Sequence, residues 1–294
     1  MTTFDAIANH IQQITDQRLT SIKLAAISGG GINEAYHLKS DEQSYFIKLN
    51  TPEREIMFEA EAKGLTELAA TRCLRIPSLI CSGKTNQHSY LVLEYIDCQP
   101  FNAASSKLLG EQLAQLHQIE QPFFGWHYDN TIGSTPQYNS REDDWLPFFR
   151  RQRLQQQLTF ATKNGYGHQL QDKGDKLSEN LHMFFESYHP NPSLLHGDLW
   201  GGNAAVDPTG NPVIYDPACY YGDRETDLAM TELFGGFSND FYDSYNSSYP
   251  LDSGYKTRKS LYNLYHILNH VNIFGASYLG QATNTLDQLN AELT

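Results

Sequence analysis

The stretch Ser193-Leu194-Leu195-His196-Gly197-Asp198-Leu199-Trp200-Gly201-Gly202-Asn203, continued after a turn at Pro208–Pro212 by Val213-Ile214-Tyr215-Asp216, decides how this chain is read. Its skeleton is H-x-D-x-x-x-x-N, with a second aspartate closing a short apolar strand. Transfer of a phosphoryl group from a nucleotide needs one carboxylate beside the acceptor hydroxyl, plus an Asn and an Asp that hold magnesium against the phosphates. Asp198, Asn203 and Asp216 can fill those roles in that order. Composition alone would place the spaced pattern in only about three in a thousand chains of this length, so coincidence explains it poorly.

Independent support comes from the N-terminal half, where the same chemistry calls for a glycine-rich loop between strands, a lysine on a following strand and a glutamate on the next helix. Ser28-Gly29-Gly30-Gly31-Ile32-Asn33 offers backbone N–H groups to phosphates, although it matches G-x-G-x-x-G only in part, and a plain hairpin turn is the other reading. Lys48 ends the apolar run Tyr45-Phe46-Ile47, which buries its stem and directs its ammonium inward; an ordinary edge-strand lysine is the alternative. Of the two candidate glutamates, Glu61 shares a helical face with Met57, Phe58, Leu65 and Leu68, whereas Glu59 has Glu55 and Lys63 as its i−4 and i+4 neighbours. Glu61 therefore points inward. An inward glutamate is costly unless paired, and a Lys48–Glu61 ion pair accounts for both residues.

Composition bounds the rest. The 294 residues allow one large domain or two ordinary ones, and 40% hydrophobic with 19% charged residues describes a folded chain. A net charge of −13 repels phosphate backbones and anionic lipid surfaces, so neither nucleic acid nor membrane is expected as a partner. Cys73, Cys81, Cys98 and Cys219 form no CxxC pair and read as buried reduced thiols. The N-terminus lacks a basic region followed by an apolar stretch, and no run approaches a membrane span, so a cytoplasmic protein is expected.

Spacing predicts a short amphipathic helix over residues 4–14, then strands at Ala35–Leu38 and Tyr45–Leu49. Thr51-Pro52-Glu53 reads as an N-cap, a first-turn proline and a dipole-favoured acid opening a helix to about Thr71. Residues 89–96 read as a further strand, and the lobe boundary falls near Ile96, giving lobes of residues 1–96 and 97–294. Residues 121–141 form a long connection whose aromatics favour order. Helices are expected over 145–162, 176–188 and 258–279.

Taken together, these residues resemble the protein-kinase-like superfamily of small-molecule kinases and, more closely, the fructosamine kinase (ketosamine 3-kinase) family. The close resemblance is carried by Leu194–Asn203, by Tyr215-Asp216-Pro217-Ala218-Cys219-Tyr220-Tyr221-Gly222-Asp223-Arg224-Glu225, and by Asp227–Phe237. Weaker matches at Phe58–Leu65, Asp129–Gln137 and Leu264–Gly275 extend it over nearly the whole chain. The resemblance implies an α+β, two-lobed fold: an N-terminal antiparallel sheet with a helix, and a mainly helical C-terminal lobe, with ATP and Mg2+ between lobes. It implies adenine against a hinge at Glu94, Tyr95 and Ile96, phosphate contacts from Gly29, Gly30, Gly31 and Lys48, and Glu61 as the anchor of Lys48. Asp198 would be the catalytic base, Asn203 and Asp216 the magnesium ligands, Trp200 a neighbour of the sugar, and Asp227 a brace for the catalytic loop. The substrate would be a ketosamine, free or protein-attached, phosphorylated on its 3-hydroxyl to an unstable ester that releases the amine. Another small-alcohol kinase, acting on an aminoglycoside, choline or homoserine, and an inactive binding module of the same fold are the alternatives. Some relatives carry a cysteine in the glycine loop; here Ile32 occupies that stretch, so no thiol switch is expected there.

Three further signals have competing readings. His266 and His270, four apart, could share a metal but lack the Glu of H-E-x-x-H, which favours a packed or substrate-facing helix. Tyr262, Tyr265, Phe274 and Tyr278 fall at helical spacings and read as core rather than a ligand box. Asp223-Arg224-Glu225 is either a self-compensated loop or, through Asp223 and Arg224, a substrate contact.

Overall fold

The computed structural model describes residues 2–28 and 31–293. The chain divides into two compact units, Met1–Phe101 with Ala205–Pro217, and Asn102–Ala204 with Ala218–Thr294.

In the first unit, α1 (Thr3–Thr15) precedes β1 (Lys23–Ile27), β2 (Glu34–Lys39) and β3 (Ser44–Asn50), then α2 (Glu55–Thr71), β4 (Leu79–Lys84) and β5 (Ser89–Glu94). The strands form one antiparallel sheet in the order β1-β2-β3-β5-β4. A reciprocal cap starts α1: the Thr2 hydroxyl accepts the Asp5 N–H while the Asp5 carboxylate accepts the Thr2 N–H. Ile7, Ala8 and Ile11 of that helix bury themselves against Leu38, Tyr45, Ile47, Leu49, Tyr90 and Val92. Because side chains alternate across a strand, the residues between them on β3, including Lys48, face the other side of the sheet. There α2 supplies the cover, burying Met57, Phe58, Leu65 and Leu68.

Several boundaries differ from the sequence reading. The helix expected from Thr51 begins instead at Glu55, after a 3-10 turn at Pro52–Arg54, and the Thr51 side chain makes no cap bond. The Thr51 carbonyl accepts from Arg54 N at 3.0 Å and from Ser89 Oγ at 2.7 Å, which draws the turn tight. β1 and β4 were not anticipated, since Lys-Leu-Ala-Ala-Ile and Leu-Ile-Cys-Ser-Gly-Lys carry no clear apolar alternation, and β4 is irregular between Leu79 and Cys81. A single division at 96/97 also differs from what is found. The chain returns to the first unit at Ala205–Pro217 because Val206 and Gln99 exchange two backbone bonds, at 2.7 and 3.0 Å, and Ile214 N donates to Arg75 O.

The second unit is mainly helical: α3 (Ala103–Leu116), α4 (Trp145–Phe148), α5 (Gln155–Lys163), α6 (Gly167–Glu179), α7 (Glu225–Leu233), α8 (Asn239–Ser248), α9 (Tyr255–Phe274) and α10 (Leu279–Ala291). Gly110 lets α3 lie against α8, since a Cβ there would fall 2.3 Å from the Phe241 carbonyl oxygen. The helix expected over 145–162 is interrupted by a π-helical turn at Phe149–Leu154, which carries the fully buried Arg153 over the Tyr220 ring. The helix expected over 176–188 instead runs Gly167–Glu179 and is followed by a 3-10 turn at Leu181–Phe185. Gly174 acts there as a packing residue, a Cβ being 2.4 Å from Leu158. The 121–141 connection is ordered around a hairpin of Asn130–Ile132 and Thr135–Gln137, with Phe124 and Trp126 buried. α9 covers most of the helix expected over 258–279, ending at Phe274 before a 3-10 turn. α8 has too few apolar residues to be read from periodicity, whereas Leu279, Ala282, Leu286 and Leu289 of α10 fall at helical spacing, so that helix was readable.

Cys81 and Cys219 are buried thiols as expected, whereas Cys73 is half-buried and Cys98 exposed. Among the described residues, no helix is long and apolar enough to cross a membrane.

Candidate active site

In the first unit, Lys48 is 4% exposed, and its Nζ lies 2.5 Å from Glu61 Oε1 and 2.6 Å from Asp216 Oδ1. Burial by itself would drive the proton off this amine, but the carboxylates of Asp216 and Glu61 overcome it and hold the pKa above the ordinary lysine value. Lys48 is therefore a fixed cation. Glu61 reaches it from the inner face of α2 while Glu59 is exposed, as the helical spacing required. Asp216 follows the strand Pro212–Ile214 with φ 59°, a left-handed conformation that is strained for a non-glycine residue, and its side chain keeps 42% exposure. One oxygen is held by Lys48 while the carboxylate stays open to a ligand.

The glycine cluster is placed only in part. Gly29 and Gly30 lie outside the described residues; Gly31 is exposed with open space where a Cβ would be. The end of that loop is tied to the end of β3, since Asn50 Nδ2 donates to Ile32 O and Asn33 Oδ1. At the expected hinge, Glu94 is pinned by Arg75 at 2.5 Å and by the Ser78 N–H and hydroxyl, and Tyr95 stacks on His37 with ring centroids 3.7 Å apart. Ile96 is half-buried. The Glu94 carboxylate thus fixes the strand end rather than facing a ligand.

In the second unit the loop of residues 196–203 is held by its backbone. Asp227, in the first turn of α7, accepts the His196 N–H at 2.7 Å through Oδ2 and the Gly197 N–H at 2.8 Å through Oδ1. Burial would raise this carboxyl, yet the hydrogen bond from His117, with the Gly197 N–H, keeps it below the usual range. Ala218 N closes the loop onto His196 O at 2.8 Å. Gly197 has φ 83°, and a Cβ there would fall 2.1 Å from the Ala218 carbonyl oxygen, so only glycine fits. Asp198 emerges from this frame half-buried, its N–H donating to His196 Nδ1. Asn203 Nδ2 donates to Asp198 O at 2.9 Å and Oδ2 at 3.2 Å, which leaves its carbonyl oxygen to act as an acceptor. Trp200 is 37% exposed.

His117 and Tyr245 were missed by the sequence reading. His117 is fully buried at the end of α3, with Nε2 3.2 Å from Asp227 Oδ2 and Nδ1 2.8 Å from the Tyr245 hydroxyl. Burial lowers its pKa, so it is neutral, donating to Asp227 and accepting from Tyr245, whose oxygen accepts in turn from Arg224 at 3.0 Å. A lone His and a lone Tyr 128 residues apart carry no pattern that spacing could detect.

The expected substrate contact by Asp223 and Arg224 is corrected. Asp223 is fully buried, accepting from Tyr188, Tyr262 and the Glu225 N–H, and Arg224 donates to Tyr245 and to the Tyr249 and Pro250 carbonyls. Glu225 of the same cluster holds Arg258 through both oxygens at 2.7 and 2.9 Å, so the cluster is internally compensated. His266 is buried, and His270 Nδ1 donates to the His266 carbonyl, which is a packing arrangement rather than a metal pair. Tyr262 and Tyr265 are core residues, whereas Phe274 is 53% exposed.

Comparison with known proteins shows what the whole chain is similar to. The family profile described as fructosamine kinase matches residues 3–292. A protein of Synechocystis sp. provisionally named a ketoamine kinase is 47% identical over 97% of this chain and 96% of its own length. The chloroplastic protein-ribulosamine 3-kinase of Arabidopsis thaliana is 40% identical over 93% of this chain and 85% of its own. A crystal structure from Haemophilus somnus 129PT, carrying a provisional fructosamine-3-kinase name, superposes with a TM-score of 0.90 at 30% identity, covering 97% of each chain.

Proposed function

The chain belongs to the fructosamine kinase family, and from that premise we propose how its own residues carry out the reaction. It is an ATP-dependent kinase that phosphorylates the sugar 3-hydroxyl of a ketosamine, such as the ribulosamine named for the Arabidopsis relative, leading to release of the amine. Asp198 takes the proton of the 3-hydroxyl as its oxygen attacks the γ-phosphorus, and ADP departs with the electron pair of the broken P–O bond. The braced loop holds that carboxylate at one place, so most of the acceleration comes from positioning. Lys48, a permanent cation held by Glu61, neutralises phosphate charge, and Gly29, Gly30 and Gly31 offer N–H groups to the same phosphates. The adenine lies against the backbone of Glu94, Tyr95 and Ile96, and Trp200 lies against the sugar.

Asn203 and Asp216 suit a hard divalent cation. Both present oxygen, the Asn203 amide nitrogen being committed to Asp198 and Asp216 having one oxygen on Lys48. Magnesium at nucleotide sites uses one or two protein oxygens with phosphate and water completing the shell. When bound, it supplies charge neutralisation on the transferred phosphate.

The observation that carries this reading is the Asp227-braced loop that presents Asp198 beside Asn203. The test supplies ATP and Mg2+ with ribulosamine, erythrulosamine and fructosamine, and in parallel with choline, homoserine and an aminoglycoside. Phosphorylation of the ketosamines is expected; consumption of only the other alcohols rejects the substrate. Asp198→Asn should lower kcat by about 10²-fold or more while nucleotide binding persists, and wild-type turnover in that variant removes Asp198 from the role of base.

A further inference from the structure

A ribbon of five rings runs across the second unit from the catalytic loop. Trp200, two residues past Asp198, folds back on Gly202, where a Cβ would fall 2.3 Å from the indole ring. Its ring meets Phe234 edge-on at a centroid distance of 6.3 Å, and Phe234 lies 4.7 Å from His270. His270 in turn lies 5.4 Å from Phe274 and 4.9 Å from Tyr278. The ribbon is open at both ends, Trp200 being 37% and Phe274 53% exposed.

α9 carries both His270 and Phe274. It bears Tyr265, whose hydroxyl is held above its ordinary pKa by burial and, among neighbouring charges, by the Asp198 carboxylate. Phe274 lies nine positions beyond Tyr265 on the helix, a rise of about 13 Å. None of the five rings carries a fixed positive charge. His270 gives its Nδ1 proton to the His266 carbonyl at 2.7 Å, and burial lowers its pKa, so the imidazole stays neutral. A run of neutral ring faces attracts a cation bearing apolar groups and does nothing for an anion.

We propose that this ribbon is the subsite for the amine end of the ketosamine, receiving a protonated secondary amine that bears an extended apolar substituent. The inference rests on the ketosamine reading above. With the 3-hydroxyl at Asp198, the C1 ammonium lies two carbons away, so its substituent starts beside Trp200 and has Phe234, His270 and Phe274 to run along. The chain's net charge of −13 suits a cationic substrate.

The experiment compares the ribulose adducts of methylamine, hexylamine and benzylamine in the wild type and in Phe274→Ala, whose exposed side chain can be removed without opening the core. Wild-type kcat/KM should be about tenfold higher for the hexyl and benzyl adducts than for the methyl adduct, the gain lying in KM. Phe274→Ala should cut that ratio to about twofold, with an unchanged melting temperature. Equal efficiency with all three adducts in the wild type, or a ratio preserved in Phe274→Ala, overturns the subsite while leaving the kinase reading intact. Turnover of none of the adducts overturns the ketosamine reading and the subsite with it.

Discussion

Asp227 accepts the N–H of Gly197 at 2.8 Å through one carboxylate oxygen while its other oxygen accepts the N–H of His196, so one side chain on α7 fixes the backbone immediately before Asp198. An anion that accepts from backbone donors in a buried site cannot be replaced by an amide, because one oxygen becomes a donor facing another donor.

Asp227→Asn should therefore lower kcat by about 10²-fold while leaving the Kd for ATP within about threefold, since the loop moves and the nucleotide contacts of the first unit do not. Steady-state kinetics with separate nucleotide titration checks this; a variant whose only defect is ATP affinity contradicts the bracing role. Tyr245→Phe, which removes the donor to His117 Nδ1, should show the same pattern more weakly, at about fivefold in kcat.

Gly197→Ala meets two obstacles. The left-handed φ of 83° costs an L-residue about 1–2 kcal/mol, and the 2.1 Å approach to the Ala218 carbonyl forces a backbone shift worth about 1–3 kcal/mol. Urea unfolding should show a loss of about 2–5 kcal/mol together with the loss of turnover. A fully active variant of wild-type stability would mean that the loop has slack the geometry does not reveal.

Lys48→Met separates binding from folding. Removing the cation leaves Glu61 buried at 11% side-chain exposure beside Asp216 with nothing to balance either charge, and breaking a buried pair in this way costs about 3–5 kcal/mol. Lys48→Met combined with Glu61→Gln should regain much of that stability in thermal melts but none of the activity. Recovery of turnover in the double variant would show that the ammonium is not needed at the phosphates.

Acid stability has an identifiable contributor in Asp207. Hydrogen bonds from the Thr209 hydroxyl, with the Asn211 and Thr209 N–H groups, lower its pKa to about 2 from 3.8. In the window between those values the unfolded chain binds more protons than the folded one, so stability rises with pH there and is lost as pH falls from 3.8 toward 2. Asp207→Asn should remove this part of the pH slope, measured by denaturant unfolding between pH 2 and 5, and an identical slope in both proteins assigns it elsewhere.

Much of the site was legible because its members carry local signals. His196, Asp198 and Asn203 sit in one short loop with fixed spacing, and Glu61 declares its direction by sharing a helical face with Phe58 and Leu65. Asp223 and Arg224 misled for the same reason: charged residues beside a motif look like ligand contacts, and only their burial among Tyr188, Tyr262 and Tyr245 shows that they serve the fold.

The order of residues along the chain determined the chemistry available, the two-part architecture of a small sheet followed by helices, and the pairing of Lys48 with Glu61, because periodicity and motif spacing are properties of neighbours in sequence. Tertiary structure alone decided that Asp216 shares the Lys48 ammonium across 168 residues, that His117 and Tyr245 stand behind Asp227, and that Ala205–Pro217 joins the first unit. Such contacts leave no periodic trace, since each depends on where distant backbone segments come to rest once their apolar faces are buried.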